Sequence, residues 1–334
     1  MAFYRCGNSK AATLIDGAEP EGEVKLKSLG MVPLDVVTGI PPGITYGYSS
    51  TTHSAQDNYL TYFKDAIYCI WHPTCINCYK DGVWSKIELT NSAITFASGV
   101  YSYSPGWASE VNGIFFASWD GALYYVASLT GEISNGDGWV LATSLPTNLA
   151  NSKLCAYDSD IYQVYLDTSD WEYVGIRKYS PTEKTWTNLS SFEKYVHYND
   201  YDLVDAVVHK DEIHIFISYD GGTNNTGTKR LDYLKYSIKD NTWTKMTSLP
   251  YYSGPQIDAW GDTVYLLWSI ETSNYMHHLF KLEDGVMTQY PNCILRSASK
   301  LCGINGEGWF EHFDSRNDDV RLGRFYEAYE LVKE

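Results

Sequence analysis

Hydrophobic and polar positions alternate along most of this chain in short runs, each closed by a small polar turn. The clearest case is Tyr179-Ser180-Pro181-Thr182-Glu183-Lys184-Thr185-Trp186. It returns 57 residues later as Tyr236-Ser237-Ile238-Lys239-Asp240-Asn241-Thr242-Trp243. In both, a Tyr and a Trp stand seven residues apart around a polar turn, and a hydrophobic stretch lies on either side. That pattern predicts two strands joined by a tight hairpin, with the aromatics packed on a neighbouring sheet.

A longer repeat runs from residue 51 to the end. A hydrophobic or aromatic position, a polar turn and an alternating strand recur together. The strands start at Ile67, Ile114, Ile161, Ile213, Val264 and Trp309, spaced by 47, 47, 52, 51 and 45 residues. Six units at that period predict the blades of a β-propeller, in which each sheet covers its neighbour's face. Outer strands are expected at Val83 to Ile87, Trp139 to Ala142, Trp186 to Leu189 and Trp243 to Met246. The fifth unit has Val286-Met287 in place of the Trp. The sixth stops after Leu331 with no outer strand of its own, so residues 1–50 are expected to supply one.

Those first 50 residues differ from the rest of the chain. Seven glycines and Pro41-Pro42 break them repeatedly, and Trp is absent. They read as an extended arm that lies on the propeller or reaches a partner. The expected organisation is an arm over 1–50 and a propeller over 51–334.

Composition narrows the functions. The chain has 29 Tyr and 11 Trp, residue types that suit a pleated sheet. Its 25 basic and 41 acidic residues give a net charge of −16, which repels phosphate backbones and anionic lipid. No apolar run approaches the length of a membrane span. Met1-Ala2-Phe3-Tyr4-Arg5-Cys6-Gly7 lacks the apolar core of a signal peptide, so synthesis in a cytoplasm is expected. The seven cysteines then read as reduced thiols, Cys75-Ile76-Asn77-Cys78 included, because no second pair completes a zinc site.

The segments Tyr179 to Trp186 and Tyr236 to Trp243, with Gly221-Gly222 after the second strand of the fourth unit, resemble the kelch family of β-propellers. Other units carry His72-Pro73, Asp120-Gly121, Asp167-Thr168, Ile270-Glu271 and Asp314-Ser315 where that doublet would stand. The fold expected from pattern and resemblance together is all-β: a six-bladed kelch-like propeller of four-stranded antiparallel blades with an extended N-terminal arm.

In such a blade the loop between strands two and three shares a face with the crossover between blades. That face collects Tyr101, Tyr103, Trp107, Trp171, Tyr173, Tyr195, Tyr198, Tyr201, Tyr251, Tyr252 and Tyr275. The candidate ligand-binding set is Tyr101, Tyr103, Trp107, Trp171, Tyr173, Tyr198, Tyr251, Tyr252 and Tyr275, since aromatic rings with polar handles stack on sugars or anchor proteins. The hairpin face carries short polar turns instead.

Catalytic signals are sparse. No phosphate loop, nucleophile elbow or paired-His zinc motif appears. His209, His214, His277, His278 and His312 lie in or near alternating strands, where packed histidines are the common case. Asp120, Asp167, Asp220 and Asp314 follow second strands and could ring the channel mouth, as a glycosidase pair or as calcium ligands; repeated Asp at a strand end is more often turn chemistry. The expectation is therefore a protein without enzymatic activity, catalytic residues, metal or cofactor. The opening Met-Ala-Phe-Tyr-Arg-Cys-Gly resembles the starts of some phage structural proteins. That resemblance implies a virion or phage-tail component, oligomeric within its assembly, whose arm meets other particle subunits and whose aromatic face meets a host glycan or a neighbour. A carbohydrate-active enzyme and an intracellular kelch-type scaffold are the alternatives.

Overall fold

In the computed structural model the described residues are 3–6, 12–16, 24–39, 59–63, 66–72, 75–88, 107–109, 113–117, 122–126, 139–144, 152–158, 160–166, 173–193, 201–220, 229–250, 255–269, 276–296, 298–304, 306–314 and 319–333. They form strands and tight turns only. Strands β1 (Phe3–Cys6), β2 (Ala12–Asp16) and β3 (Val24–Gly39) come first. Five antiparallel four-stranded sheets follow. The first contains β4 (Tyr59–Phe63), β5 (Ala66–His72), β6 (Cys75–Lys80) and β7 (Val83–Glu88). The second contains β8 (Trp107–Ser109), β9 (Gly113–Ala117), β10 (Ala122–Val126) and β11 (Trp139–Ser144). In the third are β12 (Ser152–Tyr157), β13 (Asp160–Leu166), β14 (Tyr173–Ser180) and β15 (Thr185–Glu193). The fourth is β16 (Tyr201–His209), β17 (Glu212–Asp220), β18 (Lys229–Ser237) and β19 (Thr242–Pro250). The fifth is β20 (Gln256–Trp260), β21 (Thr263–Ser269), β22 (Met276–Glu283) and β23 (Val286–Arg296). Strands β24 (Ala298–Ile304), β25 (Glu307–Asp314) and β26 (Asp319–Lys333) end the chain.

The first strands of the sheets touch one another in a closed ring, β4 to β8, β12, β16, β20, β24 and back to β4. Sheets arranged radially in this way, each sealing the next, make a propeller. The expectation of six four-stranded blades needs correcting, because only five sheets have four strands. The remaining one has six: β24, β25 and β26 are joined by β3 on one side of β26, and by β1 and β2 on the other. The reason is the length of β26. Its first part, to Arg324, pairs with β25; further on, Ala328 to Glu330 pair with β1. β3 follows the other edge of β26 from Gly39, opposite Val320, to Val24, opposite Lys333. One strand thus belongs to the ring and to an extension that continues past the β24–β25 turn.

The seams between sheets hold the core. Val164, Leu166, Val174 and Ile176 of the third blade meet Ile213, Ile215, Ile217 and Leu234 of the fourth. The fourth and fifth blades bury Phe216, Leu231 and Tyr233 against Leu266, Trp268 and Phe280. Between the fifth and last sheets lie Trp260, Leu267 and Leu279 with Phe310 and Phe325. Ile67 of the first blade closes on Cys302 and Leu322 of the last.

The Tyr and Trp of the repeated hairpins are cross-strand partners. Tyr179 faces Trp186 and Tyr236 faces Trp243, each pair with ring centroids 5.2 Å apart. Tyr79 and Trp84 of the first blade repeat the geometry at 5.2 Å. Tilted pairs of this kind contribute about 0.5–1.5 kcal/mol beyond their buried area. The turns explain their sequences. In Ser180 to Thr185, Lys184 is left-handed (φ 57°) and its N–H donates to the Ser180 carbonyl. The Ser237 hydroxyl accepts the Asp240 N–H at 3.2 Å, the local bond that makes Ser a turn residue. Asp81-Gly82 and Asp284-Gly285 carry two successive positive φ angles, the type I′ geometry of a two-residue hairpin.

Among the described glycines, the tightest main-chain approach is at the seam between the fifth and last sheets. A Cβ on Gly303 would lie 2.1 Å from the Ala259 carbonyl oxygen, and one on Gly308 would lie 2.3 Å from the Trp260 indole. Gly175 is crowded only by the ring of Tyr165, a side chain that can swing. Backbone against backbone has no such escape. Gly303→Ala is therefore expected to cost about 2–3 kcal/mol and Gly175→Ala about 1 kcal/mol. Urea unfolding of the two variants beside the parent checks that order.

Candidate functional site

Two features of the ring could carry function, and the first is its lining. Residues two before each inner hairpin turn share a level: Cys155 on β12, Val207 on β16, Asp258 on β20 and Cys302 on β24. Asp258 is the charged member. One oxygen accepts the N–H of Ala259 at 2.7 Å, and the other accepts the N–H of Gly303, across the seam on β24, at 2.9 Å. The residue as a whole is half-buried, but the carboxyl is its enclosed part, since both oxygens are taken by backbone donors. Burial pushes this carboxyl up to about 7; the two N–H groups pull it down, and the charge of Asp205 raises it further. Asp205, on the neighbouring β16, caps its own following residue in the same way, accepting from Ala206 N–H at 2.9 Å.

The thiols beside these carboxylates are inert. Burial holds Cys155, Cys293 and Cys302 well above the ordinary cysteine range, and nearby aspartates add to the rise at Cys155 and Cys302. All three are free. Cys75 opens β6, and Cys78 is buried within it.

The second feature is a histidine cluster between the fourth and fifth blades. His214 Nδ1 lies 2.7 Å from the Tyr233 hydroxyl, and its Nε2 is 3.7 Å from Glu212. Glu212 is itself paired with Lys235 at 2.8 Å. Burial, then the charge of Lys235, holds His214 down at about 3, so this imidazole is neutral. Burial also lowers His209, whose ring stands 5.9 Å from that of His214. His278 lies 3.0 Å from Gln289 across two strands. These are packed histidines held by neighbours in the sheet. Among the described residues, no three of His, Cys, Asp and Glu gather closely enough to hold a metal ion.

Of the aromatic set read from the sequence, Trp107 opens β8 opposite Phe115, and Tyr173 opens β14 opposite Glu193, half-buried. Both stand where a crossover or a second-to-third-strand loop enters a blade. Tyr101, Tyr103, Trp171, Tyr198, Tyr251, Tyr252 and Tyr275 lie outside the described residues. In the aspartate ring, Asp220 and Asp314 end β17 and β25, while Asp120 and Asp167 lie outside the described residues. Asp205 and Asp258 escaped the sequence reading. Their signal was present: an Asp-Ala pair inside the first strand of two successive units, where a carboxylate interrupts an apolar pattern.

No family model matches the chain, and no curated protein matches it in sequence. Its fold has clear likenesses, with 408 solved chains matching. One of them, the structure of YjhT, covers 83% of this chain and 97% of its own length, with a TM-score of 0.53 and 10% identity. The fold is a β-propeller. At that identity the likeness speaks for architecture alone.

The Asp258 carboxyl links the seam to pH. An unfolded chain releases this proton near the ordinary value of 3.8, whereas the folded chain keeps it until about 7. Between those values the native state binds the extra proton, so rising pH removes stability across that window. Asp258→Asn is expected to flatten that part of the profile, as seen in unfolding midpoints measured from pH 4 to pH 8.

Proposed function

We propose that this protein is a binding and assembly module without enzymatic activity, a virion- or tail-associated component of a phage or phage-like particle. The observation that carries this reading is the surplus in the last sheet. β24, β25, β26 and β3 are four neighbouring strands of the six-stranded last sheet. β1 and β2 add nothing to ring closure, yet they extend β26 beyond the β24–β25 turn. Strands that do not seal the propeller are available to hold it to something else. On this reading the arm docks with other particle subunits. On the same reading the aromatic set expected from the sequence, Tyr101, Tyr103, Trp107, Trp171, Tyr173, Tyr198, Tyr251, Tyr252 and Tyr275, meets a host glycan or a neighbouring subunit.

The kelch-like segments have a scaffold role here. Their Tyr and Trp rings are engaged in cross-strand contacts, with the Trp243 indole N–H donating to Ser190 of the preceding blade at 2.8 Å. The carbohydrate-active alternative has one observation in its favour, the Asp258 carboxyl held near neutrality beside Asp205. Because both oxygens of Asp258 are engaged by backbone N–H groups, that carboxyl serves the seam better than a substrate.

Glycan-array binding by the full chain tests the reading directly. Trp171→Ala and Tyr251→Ala are each expected to weaken binding roughly tenfold or more, as for aromatic anchors in other interfaces. Binding unchanged in both variants would remove the aromatic face as the receptor site.

A further inference from the structure

We infer that β2 is a self-pairing edge, through which two copies of this chain join antiparallel strand to strand. The inference rests on the assembly reading above and names the first partner as a second copy. The extension has the order β3, β26, β1, β2, so β3 and β2 are its two edges among the described residues. Open edges invite another strand, and proteins blunt them with Lys, Pro and bulges. β3 has all three: Lys25, Lys27, Pro33, and irregular pairing beside Leu29 and again beside Val36. Gly30 is left-handed there (φ 78°), which fits the bend of a bulge.

β2 is built differently. Its sequence is Ala12-Thr13-Leu14-Ile15-Asp16, with no Lys, Arg or Pro. Ala12, Thr13 and Leu14 pair regularly with Cys6, Arg5 and Tyr4, and the sole irregularity in this pair falls at Ile15. Among the described residues, one edge of the extension is protected and no strand pairs with the outer side of the other.

Charge favours a second copy as the occupant. Residues 1–50 contain four basic and five acidic side chains, while the remainder contains 21 and 36. Two acidic propellers repel wherever their bodies meet, so the near-neutral arm is where like copies approach at least cost. Antiparallel pairing of β2 about a two-fold axis is also self-complementary, which any closed dimer requires. The same side of the ring supplies apolar rims. Val83 and Val286, each 65% exposed, follow the Asp-Gly turns of the first and fifth blades. Those blades flank the last sheet, since β24 touches β4 and β20. At the equivalent position the third and fourth blades carry Thr185 and Thr242.

Sedimentation of the full-length chain over about 1 to 100 µM tests the pairing, because self-association follows mass action. The parent is expected to shift from monomer to dimer across that range. Thr13→Pro removes a backbone donor from β2, and Ala12→Asp sets a second carboxylate opposite Asp16 across a two-fold centred on the strand. Each is expected to weaken dimerisation roughly tenfold or more, with the thermal unfolding transition unchanged. A parent that stays monomeric throughout, or a dimer unaffected by both variants, overturns the inference. Failure here is separable from failure of the binding role: a monomer that binds glycan refutes the pairing alone, and a dimer that binds none refutes the receptor alone.

Discussion

Everything in this molecule depends on one constraint, that a four-stranded sheet of this composition has two apolar faces and must find a cover for both. A lone blade cannot do so, and neither can an open row of blades, whose end sheets would stay bare. Closure of the ring is therefore a condition of folding. The chain meets it with strands that lie far apart in sequence: β24 touches β4, and β3 runs beside β26. Pairing Val24 with Lys333 and Gly39 with Val320 ties the two ends of the polypeptide into a single sheet. Contacts of such long sequence separation cost loop-closure entropy before they return any burial. Local hairpins such as Tyr179 to Trp186 can form early, while the last sheet has to wait for the whole chain.

The same distinction explains what could be read from the sequence. Hairpins were legible because their signals are local: the Tyr and Trp seven residues apart, the Ser that caps its own turn, and the Asp-Gly pairs that demand positive φ. The period of the units was legible because each blade repeats the same inside and outside pattern. The six-stranded sheet was not. Alternation tells which face of a strand is buried but does not name the strand beside it, and Phe3 and Glu330 pair across almost the full length of the chain. The candidate site was less legible still. Asp258 carries the ordinary signature of a polar residue near a turn; its weight comes from Gly303, which lies 45 residues away and has no Cβ to keep the two backbones apart.

Asp258 and Gly303 also show how the ring resolves a local conflict. Two inner strands that approach this closely bring a backbone N–H toward a backbone that cannot accept it in ladder geometry, and a buried donor left unpaired is costly. The Asp258 carboxylate takes that donor at 2.9 Å while also satisfying its own neighbour. The cost appears as the raised proton affinity of the carboxyl, a burden that the surrounding packing of Trp260, Phe310 and Phe325 offsets. A carboxylate engaged in this way is a structural part of the seam.

The division of labour between the two sides of the ring follows from strand length. Among the described residues, blades one, three, four and five end at tight turns, so their hairpin side offers short polar loops and two exposed valines. β26 continues past its turn together with β3, because its 15 residues exceed what β25, with eight, can pair. Its unpaired remainder would be an exposed two-stranded ribbon with β3, marginal in water by itself. β1 and β2 widen that ribbon to four strands and give it the lateral support that an isolated hairpin lacks. The arm thereby becomes an ordered sheet continuous with the propeller, and any load on it passes through β26 into the ring. A hinge placed there would let the extension and the ring move independently; a continuous strand couples their orientation instead.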